Sequence, residues 1–236
     1  MQFFVDHGIE NYFYWGCYVL GFVITFIFNT EYSKKYKIPK SKAFLFSLIS
    51  YALIYAWAYV LAWVINGFTW GHHNAIRVFV WMPLVMLLVG KWFKIKWNVA
   101  CDFIAPSACL VYGIARLGCN FAGCCYGYPA RWGIYSYQAG HRCIPVQLFQ
   151  SIASFAIFII ILKMAKKRNY KPTNKLYPSM LIMYGGARFL LDFLMDNEKL
   201  FFQISELALW GLLCVLVGVI WLLLVKRKET KEGKNR

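Results

Sequence analysis

The sequence predicts an all-α, polytopic membrane protein. Of its 236 residues, 60% are hydrophobic and only 15% are charged, which is too apolar for an ordinary soluble domain. The chain is long enough for several helices of roughly 20 residues, the length that crosses a bilayer. Basic residues cluster in every second connection between the apolar segments, as they do in cytosolic loops. We therefore expect a multi-pass protein of the cell membrane, either the plasma membrane or a bacterial inner membrane.

Seven apolar segments are candidate transmembrane helices. They cover residues 11–28, 43–65, 78–89, 99–117, 146–162, 176–194 and 200–225. The third is short and the fourth contains Asp102 and Pro106, so we expect these two to be tilted, broken or partly re-entrant. Residues 1–225 are predicted to form one membrane domain, followed by a flexible basic tail over residues 226–236.

Lysine dominates the basic connections and sets the predicted orientation. The clusters lie in residues 34–42, 91–96, 163–175 and 226–236. By the positive-inside rule they are cytosolic, which puts the amino terminus outside and the carboxyl terminus in the cytosol. The net charge of +16 is then explained by topology and by anionic lipid headgroups of the bilayer, and no nucleic-acid partner is expected.

The cations outside those clusters are nearly all arginine. They are Arg77, Arg116, Arg131, Arg142 and Arg188, with Lys199 as the exception. A guanidinium is planar, always charged and able to grip a phosphate with two hydrogen bonds. Arg116 ends an apolar run, where an ionisable group is costly unless it is paired or wet. These arginines indicate a phosphate-binding site, although pairing with buried acids would explain them as well.

A second charged helix carries Tyr184, Arg188 and Asp192 at intervals of four residues, so the three side chains share one face. Arg188 can thus lie beside Asp192. The pair either contributes Arg188 to the phosphate site or only fixes the packing of its helix. Gly185 and Gly186 would let a neighbouring helix come close.

Four of the eight cysteines fall at and after the end of the fourth segment: Cys119, Cys124, Cys125 and Cys143. An oxidising compartment would favour disulfides among them. The chain has no CxxC pair and no His and Cys spacing typical of zinc, so a disulfide or simple packing is preferred to a metal site. No nucleotide, haem or flavin motif is present, and we expect no metal and no cofactor.

Three motifs in the carboxyl-terminal half carry a family resemblance. Residues 113–127 read GIARLGCNFAGCCYG, residues 145–148 read PVQL and residues 184–193 read YGGARFLLDF. Their order and spacing resemble prolipoprotein diacylglyceryl transferase. The resemblance implies an enzyme that moves the diacylglyceryl group of phosphatidylglycerol to the thiol of a lipobox cysteine in a prolipoprotein signal peptide. It also implies a central cavity open toward the outer leaflet.

The same resemblance implies the roles of individual residues. Arg116 and Arg188 would be catalytic and hold the phosphate of phosphatidylglycerol or another anionic phospholipid. The implied substrate-binding set is Tyr184, Asp192, Gly118, Gly123, Tyr126, Gln147 and Arg142. His72 and His73 are candidate bases, because an unperturbed imidazole has a pKa of about 6.5. Their alternative role is that of solvated or interfacial loop residues.

The chain departs from the family pattern in several places. The usual histidine- and glycine-rich motif of the third segment is missing, and Met195 or Asp196 stands in place of a further arginine. Cys119 and Cys124 stand where an asparagine and a glutamate are usual, and Gln150 stands in place of another glutamate. Groups at these positions would assist proton transfer, so two further functions stay open. One is an enzyme with the same fold and a phospholipid donor but a different acceptor, such as a glycolipid or a peptide. The other is a non-catalytic membrane protein that binds or transports lipid.

Overall fold

Seven α-helices make up most of the chain that the structure describes, which is residues 9–65, 75–197 and 204–234 of a computed structural model. They are α1 (Ile9–Tyr32), α2 (Lys40–Ile65), α3 (Ala75–Trp92), α4 (Trp97–Ala122), α5 (Val146–Lys167), α6 (Leu176–Asp192) and α7 (Glu206–Lys234). A short 3-10 helix, Ser33–Tyr36, follows α1. Each of the seven predicted segments overlaps one of these helices.

Five of the described helices are long and apolar enough to cross a membrane, namely α1, α2, α4, α5 and α7. The apolar part of α3 is shorter, and α6 has 17 residues. Large apolar side chains such as Val23, Leu88 and Leu216 lie exposed on the bundle surface, as lipid-facing residues do. The protein is therefore a multi-pass membrane protein, whereas seven crossings stay a prediction.

The central helix of the bundle is α4. Of its membrane-length stretch, 78% is buried, compared with 17% to 33% for the other four. The helix is unbroken from Trp97 to Ala122, so the predicted interruption is wrong. Pro106 cannot donate a hydrogen bond to the carbonyl of Asp102. The hydroxyl of Tyr36 donates to that carbonyl instead, at 3.5 Å.

A second proline, in α3, is accommodated in the same way. Pro83 lacks the N–H that would bond to the carbonyl of Phe79. The hydroxyl of Tyr177, on α6, donates to this carbonyl at 2.7 Å, and Tyr177 is fully buried. Each proline thus replaces a hydrogen bond within a helix by one between neighbouring elements.

Asp102 ties the start of α4 to the loop before α6. Its side chain is fully buried, and its carboxylate accepts the backbone N–H groups of Thr173, Asn174 and Leu176 at 2.8 to 2.9 Å. Hydrogen bonds to a charged group are roughly twice as strong as neutral ones. Three of them compensate part of the desolvation cost of this carboxylate, so Asp102 anchors the helix instead of interrupting it.

The four basic clusters lie at one end of the bundle. Tyr36 lies within the first cluster, and its hydroxyl contacts the carbonyl of Asp102, a few residues after the second cluster. The Asp102 carboxylate in turn holds the loop that carries the third cluster. Lys175 joins that loop to α7 through an ion pair with Glu229 at 2.6 Å. Because α7 continues to Lys234, the tail is helical over its described residues, and its flexibility stays a prediction.

A β-hairpin interrupts the otherwise helical chain between α4 and α5. Strand β1 (Pro129–Ser136) pairs antiparallel with β2 (His141–Cys143), and Ser136 lies opposite His141. The all-α prediction is therefore wrong for this loop. A long connection must pair its backbone N–H and C=O groups, and the hairpin does so. Gly140 in the turn has a φ of +73°, which glycine adopts freely.

A buried ion pair on α6 is hydrogen-bonded to the residue before α7. Arg188 Nη1 lies 3.2 Å from Asp192 Oδ1, and the two side chains are only 2% and 1% exposed. The same oxygen accepts hydrogen bonds from Ser205 Oγ at 2.7 Å and Asn197 Nδ2 at 3.2 Å. Ser205 Oγ in turn accepts the backbone N–H of Ala208 and so caps the start of α7. The pair predicted from the four-residue spacing is present.

Close approach of α6 and α7 depends on glycine. A Cβ atom on Gly185 would lie 2.5 Å from the carbonyl oxygen of Gly211, and one on Gly211 would lie 2.9 Å from that of Gly185. The expectation is confirmed for Gly185. It is wrong for Gly186, where a Cβ atom would meet nothing within 4 Å.

Replacing Asp192 with asparagine should destabilise the protein by about 3–5 kcal/mol, the usual cost of removing one partner of a buried ion pair. The substitution keeps the side-chain volume but takes the carboxylate away from Arg188. Thermal unfolding in detergent measures the effect. Glu229→Gln breaks the partly exposed pair with Lys175 and should cost less than about 1 kcal/mol. Equal melting temperatures for the two variants would show that the buried pair adds no stability.

Candidate functional site

A cavity of about 260 Å³ opens between α1, α2, α3 and α4, at the end of the bundle opposite to the basic clusters. Its described walls are apolar apart from tyrosine hydroxyls, cysteine thiols and one charge. The side chains that carry these polar groups are Tyr14, Tyr18, Tyr51, Tyr55, Tyr112, Arg116, Cys119, Cys124 and Cys125. Arg116 is the one charged side chain among the described lining residues. The implied central cavity is thus present, while the leaflet that it faces stays a prediction.

Arg116 is held by an aromatic side chain and a thiol. Its Nε donates to the hydroxyl of Tyr112 at 2.5 Å, and its guanidinium lies 4.7 Å from the centre of the same ring. Nη1 donates to Cys119 Sγ at 3.7 Å. In the part of the chain that the structure describes, no carboxylate lies within ion-pair distance of Arg116. A half-buried guanidinium without a carboxylate favours an anionic ligand.

Arg188 is not brought into this cavity. It borders a second, much smaller void, of about 10 Å³, together with Tyr112, Gln150 and Tyr184. Tyr112 lines both spaces, and its ring packs edge-on against that of Tyr184 at 4.9 Å. The two arginines are therefore linked through a tyrosine pair, and joint binding of one phosphate stays a prediction.

Three buried polar atoms belong to the residues around the small void. Gln150 Oε1, Tyr184 Oη and Arg188 Nη2 have no hydrogen-bond partner among the described residues. A void of this size holds about one water molecule, and a buried water needs two to four polar partners. The void therefore suits a bridging water that would hydrate Arg188.

A tight turn at the end of α4 gathers three thiols. The N–H of Gly123 donates to the carbonyl of Asn120 and the N–H of Cys124 to that of Cys119, which is the Schellman arrangement of a helix end. Gly123 has a φ of +67°, as this arrangement requires. The sulfur atoms of Cys119, Cys124 and Cys125 come to lie within 4.8 Å of one another and line the cavity beside Arg116.

Neighbouring elements hold this turn in place. Gln147 at the start of α5 is buried, and its Nε2 donates to the carbonyl of Cys124 at 2.5 Å. Ser136 at the end of β1 donates through Oγ to the carbonyl of Gly123 at 2.7 Å. Gln147 thus positions the thiol-bearing turn, and a direct contact with substrate stays a prediction.

Charge is shared unevenly among the three thiols. The pKa of Cys125 lies well below its ordinary value, because hydrogen bonds with Cys119 and Cys124 stabilise its thiolate and the Arg116 guanidinium adds to this. The pKa of Cys124 is raised, because its proton is held in hydrogen bonds with the other two sulfurs. One sulfur of the cluster therefore carries negative charge more readily than the others.

Other predicted site residues shape the surrounding loop. A Cβ atom on Gly118 would lie 3.0 Å from the carbonyl oxygen of Tyr14, so Gly118 allows α1 to pack closely on α4. Tyr126 accepts the backbone N–H of Asp196 through its carbonyl at 3.2 Å. Arg142 is exposed on β2 and donates to the carbonyl of Gly133 at 3.4 Å; it does not line the cavity.

The remaining predictions concern Cys143 and two histidines. Cys143 is buried on β2, donates to the carbonyl of His141 and is not part of the thiol cluster. All eight cysteines are free thiols in the structure, so the disulfide considered among the loop cysteines is not formed there. His72 and His73 lie outside the described residues, and their role as candidate bases stays a prediction.

Tyr112 was not among the predicted site residues, yet it contacts Arg116 directly. Its position four residues before Arg116 is the signal that would have identified it, since such residues are neighbours on a helix. The tyrosines of α1 and α2 that line the cavity carry no comparable signal. Their convergence depends on how separate helices pack.

The known proteins that this chain resembles belong to one family. Residues 3–225 match the sequence profile of the family described as LGT, prolipoprotein diacylglyceryl transferase. A phosphatidylglycerol–prolipoprotein diacylglyceryl transferase 2 of Clostridium perfringens is 31% identical over 59% of this chain and 59% of its own length. Proteins named phosphatidylglycerol–prolipoprotein diacylglyceryl transferase show 27% identity in Dehalococcoides mccartyi, over 62% of this chain and 61% of that protein, and 28% in Clostridium tetani, over 45% of each.

The matched region thus spans about 60% or less of the length of these curated relatives. The family profile, by contrast, extends over nearly all of the chain and includes α1 through most of α7, the cavity and both arginines. The chain belongs to the prolipoprotein diacylglyceryl transferase family.

Proposed function

We propose that this protein transfers the diacylglyceryl group of phosphatidylglycerol to the cysteine thiol of a prolipoprotein signal peptide. Membership of the family and the names of the relatives support the reaction. The observation that carries the proposal is Arg116, a cation without a described carboxylate partner in a cavity whose other described lining residues are apolar, tyrosine or cysteine.

The cavity suits the polar part of a phospholipid. A phosphodiester carries one negative charge, which Arg116 can bind with two hydrogen bonds. The volume of about 260 Å³ lies just below the range of roughly 300–1,000 Å³ for ligand pockets. It fits a headgroup with its glycerol, and the acyl chains would extend between the helices into the bilayer.

The reaction is a displacement at a glycerol carbon. The acceptor thiolate forms a C–S bond to the carbon that carries the phosphate, the C–O bond breaks, and glycerol phosphate leaves with the electron pair. The thiol proton passes to a base, for which His72 and His73 are the candidates. Arg116 would stabilise the charge that develops on the departing phosphate, usually a large contribution to catalysis.

Arg188 is proposed as a positioning residue. Asp192 neutralises its charge, so it cannot supply a net positive charge to the phosphate. Tyr184 stands on the same helix and packs against Tyr112, which holds Arg116. Arg188 therefore acts on the site through the tyrosine pair.

The proposed orientation places the basic end in the cytosol and the cavity toward the outer leaflet of the plasma or inner membrane. The gathering of the basic clusters at one end supports it, since cytosolic loops carry the excess of lysine and arginine. Phosphatidylglycerol would then enter from the outer leaflet, and the signal peptide would approach from the same side.

Labelling of intact cells with a membrane-impermeant maleimide tests this orientation. Gln138→Cys, exposed in the hairpin connection, should be labelled in intact cells. Lys171→Cys, exposed at the basic end, should be labelled only after permeabilisation. Peptide mass spectrometry separates these labels from those on the native cysteines. The opposite pattern would reverse the proposed topology.

Mass spectrometry of a lipobox peptide tests the reaction itself. The purified protein is incubated with the peptide and phosphatidylglycerol, beside Arg116→Ala and Arg188→Ala. We expect the wild type to add a diacylglyceryl mass to the peptide cysteine and both variants to lose this activity. Lipid consumption without an adduct would indicate another acceptor, and no consumption would indicate a non-catalytic lipid-binding or transport protein.

In the same assay, Arg116→Lys should lower kcat by about 100-fold or more, the usual loss when one donor to a developing negative charge is removed. Lysine keeps the charge but loses the planar fork and the Nε bond to Tyr112. Arg227→Lys, which changes an exposed arginine at the basic end of the bundle, is the matched control and should keep nearly full activity. Nearly full activity of both variants would exclude phosphate binding by Arg116 through two hydrogen bonds.

A further inference from the structure

We propose that Cys119, Cys124 and Cys125 bind a thiophilic divalent metal ion of the zinc class through their three sulfur atoms. The sulfurs lie within 4.8 Å of one another. Three sulfurs at about 2.3 Å from one zinc ion would be about 3.8 Å apart, so small side-chain rotations suffice to complete the site. Metal binding does not rest on the proposed transferase reaction and is tested without lipid.

The backbone is arranged so that all three sulfurs reach the same place. Consecutive residues of an extended chain point to opposite sides, which would separate Cys124 from Cys125. Cys125 instead has a φ of +58°, a conformation that is unfavourable for a non-glycine residue. Such strain persists only where the surroundings impose it, and it concentrates at functional sites. Here Gln147 and the helix-end hydrogen bonds supply that support.

Sulfur ligands select the class of metal. Thiolates favour soft or borderline metals such as zinc, and a divalent ion offsets two of the three negative charges that the thiolates carry. Arg116 Nη1 lies 3.7 Å from Cys119 Sγ, and no other charged side chain lines the cavity among the described residues.

The fourth coordination position of the ion would face the cavity. Zinc is almost always four-coordinate, and sites with three protein ligands keep one position for water or another small ligand. The described lining residues include no histidine, aspartate or glutamate that would close it. On the same cavity wall, Arg116 donates through Nε to Tyr112 and through Nη1 to Cys119.

Zinc binding to the full chain, purified in detergent with a phosphine reductant, tests the proposal. We expect one zinc per chain by elemental analysis, and X-ray absorption should find three sulfur ligands at about 2.3 Å. Cys119→Ser, Cys124→Ser and Cys125→Ser should each weaken binding by at least about 100-fold, because losing even an outer partner of a ligand costs roughly 10–100-fold. Cys143→Ser is the matched control and should bind zinc as the wild type does, since a hydroxyl can also donate to the carbonyl of His141.

Protection from alkylation keeps the test independent of how the variants fold. In the wild type, zinc should slow maleimide labelling of Cys124 and Cys125 by at least about 10-fold and leave Cys17, which is partly exposed, unchanged. Absence of stoichiometric zinc in the reduced wild type would overturn the proposal. So would fewer than three sulfur ligands, an equal loss in Cys143→Ser, or labelling of Cys124 and Cys125 that zinc does not slow.

Discussion

The burial of α4 is the constraint on which the rest of the structure depends. A helix enclosed by protein can carry a charge only where another group neutralises or solvates it. Asp102, near one end, meets this condition with three backbone N–H groups of the chain itself. Arg116 lies fourteen residues further along the sequence, which is roughly 21 Å in an α-helix, and it meets a tyrosine and a thiol but no described carboxylate. One end of α4 is thereby an anchor and the other is the candidate binding site.

Tyr112 contacts the surroundings of both arginines of the family motifs, Arg116 and Arg188. Its ring and hydroxyl hold Arg116, and its other contacts reach Tyr184 and the small void beside Arg188. Because Asp192 neutralises Arg188, the two arginines differ in what they offer. Arg116 brings a charge to the cavity, whereas Arg188 is paired with Asp192 outside it and is proposed to position the site. Two similar residues in neighbouring motifs therefore need not share one ligand.

The sequence was sufficient to find the helices, Arg116 and the Arg188–Asp192 pair, because these depend on apolar length or on neighbours along one helix. The hairpin was missed because its pairing depends on a loop whose alternation of polar and apolar residues is weak. The thiol cluster was missed for a related reason. The spacing of Cys119, Cys124 and Cys125 matches no familiar metal motif, and only the reversal of the chain at Gly123 brings the sulfurs together. The placement of Arg188 outside the cavity depends on how α4 and α6 pack, which no local pattern encodes.

The two prolines with tyrosine partners have a consequence for assembly. A helix that enters the bilayer alone can satisfy its own backbone, except where a proline leaves a carbonyl without a donor. In α3 the donor for that carbonyl arrives with α6, and in α4 it arrives with the short helix after α1. Neither carbonyl therefore has this donor until the distant element has packed against its helix. Completion of the hydrogen bonding of α3 and α4 is thus coupled to the formation of the whole bundle.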